Sequence, residues 1–337
     1  MSERSRRPRD ARRRSGGFVL VMVLVISCVL GLLLGQFAVS MLTDMELSRA
    51  RARAVQLRAA AESGVSLARA MLAADLAQRP VVDSLKDAWA KGPMVVHFDE
   101  ATVTVTIRDE NAKIPLPQLM KSWGGNDVSR LTQGLRLFTQ DAPKDFGVEA
   151  DDLRRWVVAH QFRLDLPEEA AGKPLFALKA AAPAGAAARH RAEDYVTVWT
   201  DGELNVNTAP AECLKYVWGG NGNRLVEELL AHRAQQPFTL PEEIFALPGA
   251  STALRLPGSV RLRTTSTVFL IEVQAVAGPS RLCEQAVVTR ADASVPVLYR
   301  RTVSDVRVSG EPREMTVNAF LQSGSPSTGA AAGGASG

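Results

Sequence analysis

An uncharged apolar run near the amino terminus passes directly into an amphipathic helical pattern. No charged residue occurs from Phe18 to Thr43, and the 25 residues 18–42 make roughly 37 Å of helix, longer than a bilayer core of ~30 Å. Beyond Asp44 a single apolar stripe recurs at helical spacing, made by Leu47, Ala50, Ala54, Leu57, Ala61, Val65, Ala68 and Leu72. The pattern predicts one helix from Phe18 to about Gln78, with Gly64 as a weak point. A membrane anchor followed by a separate amphipathic helix is the alternative.

The rest of the chain alternates between strand and helix patterns. Val95–Asp109 alternates as one half-buried strand, with Val103, Val105 and Ile107 on one face. Further strands are predicted at Tyr195–Thr200, Val268–Ala277, Gln285–Arg290 and Pro296–Val303. Helical stretches and a linker fall between them, at Val128–Phe138, Ala150–His160, Ala180–Ala188 (the linker) and Ala211–Leu247. This order predicts a sheet with helices inserted between its strands, followed by a disordered tail, Ser323–Gly337.

Charge is concentrated at the amino terminus. Residues 1–17 hold seven arginines against Glu3 and Asp10, a local +5, so about −1 remains for the other residues out of the total of +4. The body of the chain is therefore not a basic nucleic-acid binder by composition. Because an arginine block stays cytoplasmic, everything after Leu42 is predicted to lie outside. An ordinary signal peptide cut near Ala38-Val39-Ser40 and a plain anchor are alternatives, but secretory signals use apolar cores of only about 7–15 residues.

The junction between leader and apolar run reads Arg14-Ser15-Gly16-Gly17-Phe18. It resembles the class III signal of type IV pilins and type II secretion pseudopilins. That resemblance implies that a membrane peptidase cuts on the cytoplasmic side between Gly17 and Phe18, and that the new amino terminus of Phe18 is methylated. Most pilins carry a glutamate as the fifth mature residue, whereas this chain has Met22 there.

Two later segments carry a closer resemblance. Asp109-Glu110-Asn111-Ala112-Lys113-Ile114 follows the first predicted strand, and Leu204-Asn205-Val206-Asn207-Thr208-Ala209-Pro210 precedes the second helical block. Both resemble the K-type minor pseudopilin of type II secretion, GspK, in which D-E-N-x-K-I and L-N-V-N-T-A-P recur. The helix segment Ala59–Val65 also matches the A-x-A-E-x-G-V pattern of that family. The family lacks a glutamate at the fifth mature residue, and in this chain that position is Met22.

The resemblance implies an α+β fold in which a long, pilin-like amino-terminal helix, transmembrane in its first half, packs on an antiparallel sheet. Helical subdomains similar to SAM or helix-hairpin-helix domains are inserted into that sheet. It also implies a non-enzymatic subunit that caps a periplasmic pseudopilus. The implied partners are I- and J-type minor pseudopilins, the major pseudopilin, the prepilin peptidase and the inner-membrane secretion platform. The acidic D-W-I-D-type segment of the family is replaced here by residues 154–158, Arg-Arg-Trp-Val-Val.

On this interpretation the chain crosses the bacterial inner membrane once, with a cytoplasmic amino terminus and a periplasmic head. Its predicted parts are a removed leader (1–17), a transmembrane half-helix (18–42), the periplasmic half of that helix (43–78), the start of the sheet (79–110), a first helical insertion with linker (111–193), a strand with a second helical block (194–250), the carboxy-terminal sheet (251–322) and the tail (323–337).

The L-N-V-N-T-A-P block also has a local physical interpretation. Asn205 and Asn207 are predicted to bond nearby backbone groups, Thr208 to cap a helix, and Pro210 to sit in its first turn. Helix-hairpin-helix domains can hold DNA phosphates. The four glutamates of the following block, Glu227, Glu228, Glu242 and Glu243, favour a structural role without nucleic acid.

Metal and redox chemistry have weak signals. The histidines His97, His160, His190 and His232 are scattered without metal-ligand spacing, so no cofactor is predicted. An acidic cluster that would suit calcium or simply start a helix comprises Asp141, Asp145, Glu149, Asp151 and Asp152. A disulfide between Cys213 and Cys283 is left open.

Two classes of function follow. The first is an assembly subunit, either a pseudopilin or a minor pilin of a type IV pilus. The second is a membrane-anchored binding module whose head recognises a ligand or DNA by itself. A mature protein that starts at Phe18 favours the first class, and retention of the arginine leader favours the second.

Overall fold

The computed structural model describes residues 15–78, 82–98, 101–115, 118, 195–218, 223–250, 260–306, 308 and 310–315. The chain divides between Gln56 and Leu57 into two compact units. The predicted helices Val128–Phe138 and Ala150–His160, the linker Ala180–Ala188 and the tail Ser323–Gly337 lie outside the described residues. The finer domain boundaries therefore stay predictions.

One helix, α1, runs from Ser15 to Ala77 without interruption, which confirms the predicted continuous helix. In the first unit every described side chain from Phe18 to Gln56 is exposed. Helix α1 is long and apolar enough to cross a membrane by length and composition. Its uncharged residues from Phe18 onward have no packing partner among the described residues of that unit, as expected for a surface that meets lipid or other helices.

The second unit contains a six-stranded sheet. Its strands are β1 (Met94–Phe98), β2 (Ala101–Asp109), β7 (Val268–Ala277), β8 (Ser280–Thr289), β9 (Val297–Val303) and β10 (Arg313–Glu314). They lie side by side in the order β10-β1-β2-β7-β8-β9, and all neighbours are antiparallel except β10 and β1. The single strand predicted over Val95–Asp109 is wrong, because Phe98 pairs with Ala101 and the segment forms two antiparallel strands.

The segment inserted between β2 and β7 carries two small parallel strand pairs and short helices. Strand β3 (Ile114–Pro115) pairs with β4 (Val196–Thr197), and β5 (Glu203–Asn205) pairs with β6 (Arg261–Arg263). The helices are α2 (Ala211–Trp218), α3 (Asn223–Gln235) and a 3₁₀ helix at Pro241–Ala246. They confirm the predicted helical block 211–247. The strand predicted over Tyr195–Thr200 is only two residues long, because the Trp199 N–H turns back to the Thr197 hydroxyl (3.2 Å).

The core of the second unit lies between α1 and the sheet. From Leu57 onward the predicted apolar stripe is buried, at Leu57, Ala61, Val65, Ala68 and Leu72. It packs with alternate residues of β2 and β7, among them Val103, Val105, Ile271 and Val273. Gly64 is not a weak point. A Cβ there would lie 2.8 Å from Val103 Cγ1 and 3.0 Å from Val273 Cγ1. Glycine therefore lets the helix approach the sheet closely.

Candidate functional site

The two sequence motifs, about a hundred residues apart, meet in one buried cluster of polar side chains. Asp109 ends β2, and its Oδ2 accepts hydrogen bonds from the Thr208 hydroxyl (2.5 Å) and from Asn205 Nδ2 (3.4 Å). Strand β5 and the turn after it bring Asn205 and Thr208 to this place. We call this cluster the polar junction; its members are Asp83, Asp109, Asn111, Asn205, Asn207, Thr208, Ser266 and Arg290.

Asp109 is the centre of the polar junction. Besides Thr208 and Asn205, its carboxyl group accepts hydrogen bonds from the Ser266 hydroxyl (2.5 Å) and the Asn111 N–H (2.7 Å). Burial raises the pKa of Asp109 to about 6, while the bonds from Ser266, Thr208 and Asn111 oppose that rise. One carboxyl group thereby holds the end of β2 against the turn after β5 and the segment before β7.

The three asparagines of the motifs serve backbone groups. Asn111 Oδ1 accepts from the N–H groups of Thr267 (2.9 Å) and Val268 (3.0 Å). Asn205 Oδ1 accepts from the Asn207 N–H (3.0 Å), which confirms the predicted local bond. Asn207 instead reaches a distant segment, because its amide donates to the Phe238 carbonyl (3.0 Å) and accepts from the Phe238 N–H (2.9 Å). Asn207 thus fixes the segment between α3 and the 3₁₀ helix.

The predicted helix cap at Thr208 is wrong. Helix α2 begins at Ala211, and its first bond runs from the Leu214 N–H to the Pro210 carbonyl (3.1 Å), so Pro210 stands just before the helix. The Thr208 hydroxyl is used by Asp109 instead. The oxygens of a buried carboxyl group must find donors within the protein, whereas water can accept hydrogen bonds from the free N–H groups at the start of a helix.

Glu110 points away from Asp109 and makes its own buried pair. Lys113 Nζ contacts Glu110 Oε1, and the Thr197 hydroxyl donates to Glu110 Oε2 (2.6 Å). Both charged side chains are at most 9% exposed. Such a pair contributes specificity of arrangement rather than large stability. It ties the end of β2 to β4.

Arg290, at the end of β8, closes the junction toward α1. Its guanidinium contacts Asp75 on α1, donates to Asp83 Oδ2 (2.5 Å) and lies 4.8 Å from the centroid of the Phe269 ring. Asp83 also accepts from the Ser266 N–H (2.6 Å). Sequence reasoning missed Asp75, Asp83, Ser266 and Arg290 as a group. The only signal was an arginine ending a predicted strand of buried residues.

This arrangement positions segments of the chain, and its polar groups are not exposed to solvent. The motif residues are buried and satisfy one another's hydrogen bonds, so substrate has no access to them. Among the described residues, no three of the His, Cys, Asp and Glu side chains form a group that could hold a metal ion. His97 contacts the Thr102 hydroxyl (3.1 Å), and His232 stacks on Phe238. The remaining two histidines and the five-member acidic cluster considered for calcium lie outside the described residues.

The two cysteines outside the apolar run are not joined. Cys213 and Cys283 are both buried free thiols. The Cys213 thiol donates to the Tyr195 carbonyl (3.4 Å), and burial raises the pKa of both thiols. Raised thiol pKa values leave little reactive thiolate, so both side chains act as small core residues.

The predicted processing residues lie at the start of α1. Gly17 is within the helix, and the side chains of Phe18 and Met22 are 75% and 55% exposed. Their roles in cutting and methylation stay predictions.

No protein-family model and no curated protein matches the sequence. A chain in the crystal structure of the GspK-GspI-GspJ complex from the enterotoxigenic Escherichia coli type 2 secretion system has a similar fold, with a TM-score of 0.51. It is 17% identical, and the alignment covers 77% of this chain and 99% of that one. At this identity the likeness concerns the fold. It confirms the predicted α+β, pilin-like architecture of a long amino-terminal helix and a mostly antiparallel sheet.

Proposed function

We propose that the chain is a non-enzymatic minor pseudopilin of the K type. It initiates or caps the periplasmic pseudopilus of a type II secretion system and so assists the export of folded proteins. The observation that carries the proposal is the fold of the chain. One helix has an exposed apolar part long enough to cross a membrane and a second part packed on an antiparallel sheet, and that fold is similar to a chain of the GspK-GspI-GspJ complex.

The polar junction supports a structural rather than a catalytic role. The residues of both motifs form the hydrogen bonds that hold β2, β5 and the segment before β7 together. None of Asp109, Asn205 and Asn207 is more than 6% exposed. A catalytic group must touch its substrate, so a sealed cluster of this kind favours a scaffold whose working surfaces lie elsewhere.

The sequence at the start of α1 supports a processed chain with a defined orientation in the membrane. The peptidase acts between Gly17 and Phe18, the arginine leader stays cytoplasmic, and the head lies in the periplasm. Mass spectrometry of the membrane-extracted chain is expected to find a protein that begins at Phe18 and carries one methyl group. Gly17→Ala is expected to block the cut, because a peptidase pocket that fits glycine has no room for a side chain.

Gly16→Ala is the matched control, since it adds the same methyl group one residue earlier and leaves Gly17 and Phe18 in place. A mature chain that begins at Met1 or Met41 contradicts the proposal and favours a membrane-anchored binding module. Co-purification of I- and J-type subunits separates a pseudopilin from a minor pilin of a type IV pilus.

The absence of a carboxylate at Met22 supports a position at the filament tip. A processed subunit brings a positive amine at Phe18 into an apolar bundle, where an uncompensated charge is costly. In ordinary pilins a fifth-residue glutamate neutralises the amine of the subunit above. A chain with Met22 has no carboxylate to offer upward, and it loses little where nothing lies above it. Its own amine can still meet a glutamate from the subunit below.

The proposed stoichiometry is therefore about one copy per filament at the membrane-distal end. Quantitative cross-linking along sheared filaments measures where the copies lie. Copies spread along the shaft in proportion to the major subunit contradict the tip position.

A further inference from the structure

The turn between β8 and β9 contains one residue in a strained backbone conformation. Val295 has a φ of +42°, and in the described part of the chain it is the one residue other than glycine with a positive φ. A β-branched residue disfavours this conformation, because its side chain crowds its own backbone. Pro296 opposes it further, since a residue before proline prefers an extended backbone.

Glycine takes such conformations without strain, and this chain uses it at the other described positions of this kind. Those positions are Gly92, Gly202, Gly249, Gly278 and Gly310. A valine at position 295 therefore opposes the observed turn, so other contacts must hold the turn in place.

Two sets of contacts hold Val295 in this conformation. Its side chain is 0% exposed and belongs to the apolar core between α1 and the sheet. Arg69, on α1, supplies the second set, because its Nε donates to the Val295 carbonyl (2.8 Å) and its Nη2 donates to the Ser294 carbonyl (2.8 Å). Both hydrogen bonds are lost if the turn moves away from the helix.

The turn is attached to α1 at a second point. Arg290 begins the turn, and its guanidinium contacts Asp75, which follows Arg69 by six residues on the helix. The Thr289 N–H donates to the Pro296 carbonyl (3.0 Å) and closes the turn immediately after Val295. That amide therefore reports whether the turn is formed.

We propose that residues 290–296 form a strained clasp on α1. In its closed state Val295 is buried and Arg69 holds the turn against the helix. In its open state Val295 takes an extended backbone, Arg69 is released, and the turn leaves α1 while the sheet stays folded.

Opposing contributions set the balance between the two states. Backbone strain at Val295 favours the open state, whereas burial of the valine side chain and the bonds from Arg69 favour the closed state. Arg69 belongs to the helix and Val295 to the turn, so a displacement of the helix relative to the turn removes the bonds and leaves the strain. The population of the open state then rises.

The clasp couples α1 to the surface where β9 begins. Val297 and Leu298, which follow the turn directly, are 38% and 47% exposed. A molecule that binds there and draws the turn away loosens its attachment to α1, and by reciprocity a movement of α1 opens the turn. This inference goes beyond the proposed function, because the equilibrium lies within the second unit and does not depend on the assembly that the chain joins.

Hydrogen exchange of the full-length chain in detergent, resolved to single amides by mass spectrometry, measures the opening. The Thr289 amide reports the turn, and the amide of Ile271, in a strand paired on both sides, reports unfolding of the sheet. After correction for intrinsic rates, Thr289 is expected to exchange at least about tenfold faster than Ile271. Equal rates overturn the inference, since they show that the turn opens only when the sheet unfolds.

Substitution of Val295 tests the strain. Val295→Ala and Val295→Gly both remove the valine packing, but only glycine is free of the strain. The Thr289 amide should exchange about threefold more slowly in Val295→Gly than in Val295→Ala. At Val288, buried in the extended strand β8, the same two substitutions are the matched control and should rank in the opposite order. Exchange in Val295→Gly that is as fast as in Val295→Ala, or faster, overturns the inference.

Substitution of Arg69 tests the coupling to α1, and it leaves the apolar core unchanged should a Val295 variant fail to fold. Arg69→Met should speed exchange at Thr289 about tenfold while Ile271 changes less than about twofold, because two charge-assisted hydrogen bonds are lost. Arg58→Met, at an exposed position of the same helix, is the matched control and should change both amides less than about twofold. No change at Thr289 in Arg69→Met, or an equal change at Ile271, overturns the inference.

Discussion

The second unit of the chain is held together by two regions with opposite chemistry. Between α1 and the sheet, apolar residues such as Val65, Val103 and Val273 pack against one another, and Gly64 brings the helix close. In the polar junction, Asp83, Asp109 and Arg290 are as deeply buried but bind through directed bonds. The apolar face tolerates small changes of shape, whereas the junction requires a particular donor for each acceptor. We infer that the polar junction fixes how the segments are arranged, whereas burial of the apolar face supplies the favourable free energy of folding.

Removal of Arg290 is expected to have the largest effect. Arg290→Met leaves Asp83, which is 0% exposed, without its cation and frees Asp75 from its partner. Breaking a buried ion pair from one side destabilises by about 3–5 kcal/mol. Urea unfolding of the detergent-solubilised chain, followed by tryptophan fluorescence, to which the buried Trp89 contributes, measures the change in the free energy of unfolding.

Arg300→Met is the matched control. Arg300 also joins α1 to the sheet, through Glu62 and Glu284, but it is 29% exposed and Glu62 is 56% exposed. Water replaces such contacts, so the expected loss is about 1 kcal/mol or less. Equal losses in the two variants would show that burial does not distinguish the two arginines.

The pH dependence of Asp109 should have the next largest effect. Its pKa is raised to about 6 in the folded head, whereas an unfolded Asp titrates near 3.9. The folded state then binds more protons between these values, so the free energy of unfolding falls as pH rises from about 4 to 6, by up to ~3 kcal/mol from this group.

Asp109→Asn removes this titration. The difference in the free energy of unfolding between wild type and variant, measured from pH 4 to pH 7, should therefore move against the wild type as pH rises. A difference that stays nearly constant from pH 4 to pH 7 would show that the bonds from Ser266, Thr208 and Asn111 outweigh burial and hold the carboxylate charged, because a lowered pKa titrates below about 3.9. The measurement therefore shows whether burial or hydrogen bonding dominates the pKa of Asp109.

The smallest of the three effects is expected at Gly64 in the apolar face. Gly64→Ala adds a methyl group at 2.8 Å from Val103 Cγ1, and overpacking of this kind destabilises by about 1–3 kcal/mol, offset in part by the better helix propensity of alanine. Ser66→Ala, at an exposed position of the same helix, is expected to change stability by less than about 0.5 kcal/mol. Val103→Ala should relieve the clash, and failure of the double variant to recover would place the strain elsewhere.

The apolar region was predictable because its pattern is local. The stripe through Leu57, Ala61 and Val65 repeats at helical spacing, and β7 alternates at strand spacing, so both elements followed from neighbours in sequence. The hairpin of β1 and β2 was missed although the buried positions change from even numbers in β1 (Met94, Val96) to odd numbers in β2 (Ala101, Val103), a break in the alternation that marks two strands. Gly64 was misjudged because helix propensity carries no information about a sheet across the core.

The polar junction was predictable only as motifs. Asp109, Asn205 and Thr208 were singled out by resemblance, but their mutual contacts depend on segments 96–99 residues apart. Asp83 and Arg290 had no motif to mark them. Hydrogen bonds have no periodicity along a chain, so their partners cannot be inferred from spacing.

The distance along the chain between Arg290 and its carboxylates has a consequence for biosynthesis. Arg290 follows Asp75 by 215 residues and Asp83 by 207. At synthesis rates of about 5–20 residues per second, the carboxylates wait roughly 10–40 s for their cation. During that interval Asp75 and Asp83 lack the Arg290 guanidinium, so the polar junction is completed only after the chain has been synthesised past residue 290.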